Sequence, residues 1–309
     1  MNNSERIKLL LKNPKAFFVK FKWFILMHFI KVLFKQNENI SEICDNWYYY
    51  CYLSKKYQKY LDNQPLYKWR EGEKKKTKEN IIRRCRLQGE KNIPPLNRNC
   101  LNSVKKIIKN KKIIIITNDN LKNYINIPWY IYEKHKSGII SNAHFSDLIR
   151  LNLLIKYWWT RIDSTVLLTD YNKVFFESDF FVFRNFYRGE KSMALSNWFI
   201  TSYRNNPILL ATRDLLYKYR KDNNWLINYY IFHMFFTMAI QKYPEIRNAV
   251  PKYSNLPPHI MQYEILSDYN KERFEQLKSI SSIHKLNFKI SKSIIWEKSL
   301  YKHIEYMNI

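Results

Sequence analysis

Apolar positions in the first part of the chain recur at helical spacing, whereas the middle carries short apolar runs bounded by Asn, Asp, Gly and Pro. Residues 1 to about 65 therefore read as helical, with an aromatic, lysine-rich helix over 47–61. A charged stretch over 71–79, including Lys74-Lys75-Lys76, reads as a solvated linker. From Ile81 the texture changes. Residues 81–87 fit a strand that turns away at Gln88-Gly89-Glu90, and Pro94-Pro95 opens a helix over 96–109. The run Ile113-Ile114-Ile115-Ile116 fits a fully buried strand. Helices over 128–136 and 142–157 follow, then a strand over 161–168 with Asp163 near its start. Strand-like runs over 174–184 and 193–201 precede helices over 209–219 and 227–242. This alternation predicts an α/β sandwich with a mixed sheet. The expected organisation is an N-terminal basic aromatic helical segment and linker over 1–75, followed by an α/β unit over 76–309.

Composition narrows the classes. At 309 residues the chain can bury a substantial core, and 46% hydrophobic with 17% aromatic residues excludes a disordered polymer. The formal net charge of +27 points to a polyanionic partner: nucleic acid, an anionic membrane surface or diphosphate-bearing substrates. Its lysines are spread along the chain rather than gathered into one arm, which argues against a dedicated nucleic-acid binder. Coding bias toward Lys, Asn, Ile and Tyr accounts for part of the charge. Cys44, Cys51, Cys85 and Cys100 form no CxxC pair and no zinc spacing. With no cleavable signal peptide apparent, reduced thiols in a cytoplasmic protein are the simplest expectation. Residues 17–35 interleave Phe17, Phe18, Phe21, Trp23, Phe24, Phe29 and Phe34 with lysines. Such a helix either lies in an anionic membrane interface, making the protein peripheral at the inner face of the membrane, or packs its apolar side on the rest of the chain.

Candidate chemistry concentrates between His144 and Thr165. Cleaving a sugar from a nucleoside diphosphate requires cationic groups or a divalent metal on the phosphates, and carboxylates to carry that metal and grip the ribose. Asp147 and Arg150 lie one helical turn apart on one face, and Asp163 follows on the next strand. On spacing alone the favoured reading is an ordinary surface pair beside a strand-end turn.

The block Ser-Asp-x-x-Arg followed by a strand-borne Asp resembles GT-A glycosyltransferases with a degenerate Asp-x-Asp motif, including glycosylating toxins and yeast-type mannosyltransferases. Still more similar is the bacterial capsular polysaccharide synthesis family. Its members read Ile-Trp-x-Cys-Trp-x-Gln-Gly, then Ile-Ser-x-x-His-Phe-Ser-Asp-x-x-Arg, then Lys-Tyr-Gly-Gly-x-Trp-Ile-Asp-x-Thr. The counterparts here are residues 82–89, 140–150 and 156–165; Ser196-Asn197-Trp198-Phe199, Phe232-His233, Leu256-Pro257-Pro258-His259 and Ser282-Ile283-His284-Lys285 extend the match.

The resemblance implies a GT-A-like fold and a hexosyltransferase. A UDP- or GDP-sugar would be the donor and a glycan or lipid-linked glycan the acceptor. It places Asp147, Arg150, Asp163 and Gln88 at the nucleotide sugar, with Asp163, Arg150 and Asn197 in catalysis. A divalent metal (Mn or Mg) would be held by Asp163, Thr165 and His284, and Lys285 is a further leaving-group candidate. His233 reads as a core histidine, His259 as loop structure, and His144 as a packing residue. The rival class is a basic aromatic nucleic-acid or membrane-surface binder without catalysis.

Some positions depart from the family. Trp158-Trp159 stand where it has two glycines, and Arg83, Arg86 and Arg161, with Arg220 and Arg247, where it has tryptophans. A Gly-Gly turn commonly supplies positive φ, which bulky residues resist, and a buried Arg needs a partner. Both directions of exchange follow from one cause, translation under the wrong genetic code; the alternative is a decayed, inactive paralogue. Reverting the five arginines would lower the formal charge from +27 to +22. The recoding idea fails if Trp158 shares its codon with Trp198, which matches a family tryptophan.

Overall fold

The computed structural model describes residues 13–34, 38–68, 81–87, 89, 93–109, 112–185, 192–287 and 290–307. The linker over 71–79 and Gln88 lie outside them. Two helices come first, α1 (Pro14–Phe34) and α2 (Glu38–Asn63). Next are β1 (Ile81–Cys85), α3 (Pro95–Ile107), β2 (Lys112–Ile116), α4 (Trp129–Lys136), α5 (Asn142–Lys156), β3 (Trp159–Ile162) and β4 (Val166–Leu168). The remainder is α6 (Lys173–Glu177), β5 (Phe180–Arg184), β6 (Leu195–Ser202), α7 (Pro207–Asp222), α8 (Ile231–Lys242), α9 (Pro244–Ala249), α10 (Leu256–Tyr263), α11 (Lys271–Ile280), β7 (Ile283–Lys285) and α12 (Leu300–Tyr306). The protein is mixed α/β and mostly helical, with small sheets.

The single mixed sheet expected from the sequence is replaced by three pieces. β1 and β2 pair in parallel, β3-β6-β5 form an antiparallel sheet, and β4 pairs antiparallel with β7. β1 packs alongside β3. At its edge the Cys85 carbonyl accepts from Arg150 Nη2 at 3.4 Å rather than from a strand partner. The expected strand over 161–168 is two strands in different sheets. Asp163-Ser164-Thr165 is the link, closed by Val166 N donating to Asp163 O at 3.1 Å. Asp163 therefore ends β3 instead of starting a strand. Residues 173–177 are helical where a strand was expected, because the Asn172 side chain accepts from the free N–H groups of Val174 and Phe175. Ile113, Ile114 and Ile115 are only half-buried, since β2 has a neighbour on one side alone.

Leu53, Tyr57 and Leu61 recur every four residues and seat α2 in the same core as α7 and α8. Tyr57 meets Phe235 edge-on at 5.5 Å and accepts from Asn223 at 2.9 Å. A second cluster, built from Phe175, Phe181, Phe183, Trp198 and Phe199, fills the space behind the antiparallel sheet. Among the described residues all four cysteines are free, and no helix is long and apolar enough to cross a membrane.

Candidate active site

Ser141 caps α5 by accepting from the His144 N–H, and the helix then presents Asp147 and Arg150 one turn apart with 4.0 Å between their charged groups. β3 brings Asp163 beside them, its N–H held by the Trp198 carbonyl at 2.9 Å. Arg150 Nη1 lies 3.4 Å from Asp163 Oδ1, and Lys285 Nζ lies 3.1 Å from Oδ2. Thr165 donates to Oδ2 at 3.2 Å and accepts from Lys285. Arg84 donates to the Asp163 carbonyl at 3.2 Å. Burial alone would raise the Asp163 pKa, but Lys285, Arg150 and Arg161 together hold it well below the usual carboxylate range.

Two carboxylates thus face four cations, Arg84, Arg150, Arg161 and Lys285, leaving the cluster with an excess of positive charge. The side chains of Asp147, Arg150, Asp163 and Lys285 each stay about one-fifth exposed to the cleft, whereas Arg161 is 3% exposed. Arg161 Nη2 reaches Asp147 Oδ1 at 2.6 Å, while its Nε and Nη1 are buried without a hydrogen-bond partner. Burial pushes the Arg84 guanidinium down to about 10. It also lowers the Arg161 pKa, against the pull of Asp147.

Apart from Arg84, which lies behind Asp163, these groups line a cleft of about 950 Å³. Asp147, Arg150, Asp163, Thr165, Asn197 and Lys285 all face it; His284 does not. Side chains alternate along a strand, so Lys285 points to the cleft while His284 turns behind β7, its Nε2 3.2 Å from Thr169 Oγ1. His233 was expected in the core, yet it lines the cleft, its Nδ1 buried without a partner and its pKa lowered to about 4 by burial. His259 was expected in a loop; it sits on α10, 2.6 Å from its own-turn carbonyl at Asn255, edge-on to Trp198, and also faces the cleft. His144 packs as expected, 3% exposed and 3.3 Å from the Tyr229 carbonyl.

Sequence reasoning missed Arg84, Glu42, Tyr229 and Asn255. Arg84 carried a signal, being adjacent to Cys85 on a strand of the motif. Tyr229, 61% exposed at the rim, and Glu42, reaching in from α2, carried none.

Trp158 and Trp159 do not adopt the strained backbone that glycines would suggest. Among the described residues positive φ occurs only at Asn205, Gly89 and Gly138. Of the arginines at family tryptophan positions, Arg247 is exposed and costs nothing, and the side chain of Arg83 lies outside the described set. Arg220 is 1% exposed, with Nη1 unpartnered.

The expected metal ligands are otherwise engaged as they are placed. Both Asp163 oxygens already engage cations, and His284 is turned away. Among the described residues no three His, Cys, Asp or Glu side chains converge as metal ligands. As placed, the described side chains by themselves do not fit a divalent cation.

The family described as capsular polysaccharide synthesis protein matches this chain over residues 27–304. Among solved structures, one titled PaToxG Glycosyltransferase is similar at 17% identity and a TM-score of 0.38, covering 74% of this chain and 86% of its own. That likeness is too distant to bear on the reaction. No curated protein matches the sequence significantly.

Proposed function

Because the chain belongs to the capsular polysaccharide synthesis protein family, we propose that it is a GT-A-like glycosyltransferase. It moves a hexose from a nucleoside diphosphate donor to a growing surface or capsular glycan, or to a lipid-linked one. The observation that carries this reading is the cleft wall of Arg150 and Lys285, both partly exposed and both held in place by Asp163. A leaving diphosphate gains negative charge as the glycosidic bond breaks, and fixed cations in a half-buried site stabilise that charge without reorganising. Arg150 grips the diphosphate as a bidentate donor, and Lys285 supplies a compact second charge. Asp147 accepts from the ribose or base, and Asn197 reaches the donor sugar.

Departure of the diphosphate on the face that the acceptor attacks retains anomeric configuration; the acceptor hydroxyl's proton passes to the departing phosphate oxygen, so no dedicated base is needed. With Lys285 on Asp163, leaving-group stabilisation comes from side chains, so turnover does not depend on Mn or Mg. The test is a calorimetric screen of UDP- and GDP-sugars against the wild type, Asp147→Ala and Asp163→Ala. Loss of donor binding in the variants supports the reading. Unchanged binding in both sinks it.

A further inference from the structure

α1 joins helical continuity to an apolar character on nearly every side. Projected at about 100° per residue, Trp23 and Met27 fall on one side, and both are 7% exposed. That side rests on α2: Trp23 stacks on Tyr48 at 4.3 Å and donates to Asp45, and Tyr48 donates to the Val19 carbonyl at 3.2 Å. The opposite arc carries Phe17, Phe18, Phe21, Phe24, Ile25, Leu26 and Phe29, all between 37% and 66% exposed. Within residues 17–29, His28 and Lys22 are the polar residues that interrupt it. At roughly 200 Å² per large side chain, these exposures amount to about 700 Å², above the ~300–600 Å² of the largest patch on an ordinary monomer. A helix apolar on nearly all sides needs an apolar phase on those sides, and the described residues supply it on one.

We infer that this arc docks on an anionic membrane surface, with α1 lying in the interface. Charge selects that occupant over a second copy of the chain. α1 carries four lysines and no acidic residue, within a protein of net charge +27. Two such arcs facing each other would set like charges together, whereas anionic headgroups neutralise them. Aromatic rings suit the headgroup–acyl boundary, and the helix is too lysine-rich to cross it. α2 continues from the docked helix to the cleft, where Glu42 reaches in. This inference does not rest on the reading of the cleft as a donor site.

The full-length chain is floated with vesicles of phosphatidylcholine containing about 30% phosphatidylglycerol, and with phosphatidylcholine alone, at low and high salt. Binding to the anionic vesicles is expected, weakening as salt rises. The triple variant Phe18→Ser, Phe24→Ser, Phe29→Ser alters exposed side chains only. It should keep the wild-type circular dichroism and melting midpoint while partitioning at least about tenfold more weakly. Two results would overturn the inference: vesicle binding equal in wild type and variant, or no wild-type binding to anionic vesicles. A solution mass of two copies that falls to one in the variant would also overturn it, assigning the arc to self-association.

Discussion

Replacing Arg220 with methionine should stabilise the protein, against the usual direction of core substitutions. Arg220 is among the largest fully buried side chains, on the inner face of α7. No described carboxylate pairs with it. Its guanidinium lies over the Tyr219 ring at 5.6 Å, with Nη1 unpartnered. The neighbours make matters worse: burial lowers the pKa values of Lys134 and His144, and the charge of Arg220 lowers both further. Burial in turn pushes the Arg220 pKa down, with only Tyr219 opposing. Swapping buried ionic groups for apolar ones of similar volume is often neutral or stabilising by about 1–4 kcal/mol, and a cation without a carboxylate partner falls on the stabilising side. We therefore expect about 2 kcal/mol, which at a urea slope near 3 kcal/mol/M moves the midpoint up by about 0.7 M. Arg220→Trp is the second arm. Stabilisation at least as large as in the methionine variant is expected if an Arg-read codon truly encodes Trp. Overpacking would instead subtract about 1–3 kcal/mol. A lowered midpoint in the methionine variant would refute the premise that this cation is uncompensated.

Further outcomes can be checked. Arg150→Ala should weaken UDP-sugar affinity about 10- to 100-fold, the worth of a charged hydrogen-bond donor to phosphate, in calorimetry. Lys285→Met should lower kcat of sugar transfer by two or more orders of magnitude, and saturating chelator should leave wild-type turnover unchanged. Acidification should destabilise the fold. His144, His233 and His284 have pKa values lowered to about 4 by burial, below the ~6.5 of an unfolded histidine. Between those values the unfolded chain binds more protons, so stability falls as pH drops from about 6.5 toward 4. The depressed Asp163 pKa adds loss in the same direction below about 4. Urea midpoints at pH 7 and pH 5 should differ accordingly, and equal midpoints would contradict the buried-neutral assignment.

Helices were the most legible part of the fold. α5, α7 and α8 appear within a few residues of where apolar spacing placed them, because their burial follows their own periodicity. Strands were less legible where a local polar group overrode the apolar run. The Asn172 side chain turned one expected strand into a helix followed by β5, and the Asp163-Ser164-Thr165 turn split another between two sheets. At the site, spacing alone read Asp147 and Arg150 as an ordinary surface pair; the family resemblance grouped them with Asp163, and they meet because one helix turn and one strand end converge there. Choosing His284 as a ligand failed on parity. The pattern identified the strand but not which of two neighbouring residues faces the cleft, and that is set by pairing with β4 across more than a hundred residues of chain.

The two themes of the molecule, its cleft and its anomalous residues, meet at Arg161. Asp147 can serve a nucleotide only if its oxygens are available, yet Arg161 Nη2 sits on Oδ1 at 2.6 Å. Arg161 is itself poorly served: two of its nitrogens are buried and orphaned, and its guanidinium lies 5.5 Å from the Phe232 ring. A tryptophan at this position would keep the aromatic contact with Phe232, remove the orphaned nitrogens and release Asp147 to the cleft. An arginine secures one ion pair and occupies one of the two oxygens with which Asp147 would meet a donor. The same substitution therefore relieves a packing fault and opens a binding group. Decay would have to explain Arg161 and the uncompensated Arg220 as separate events, whereas one misread codon accounts for both.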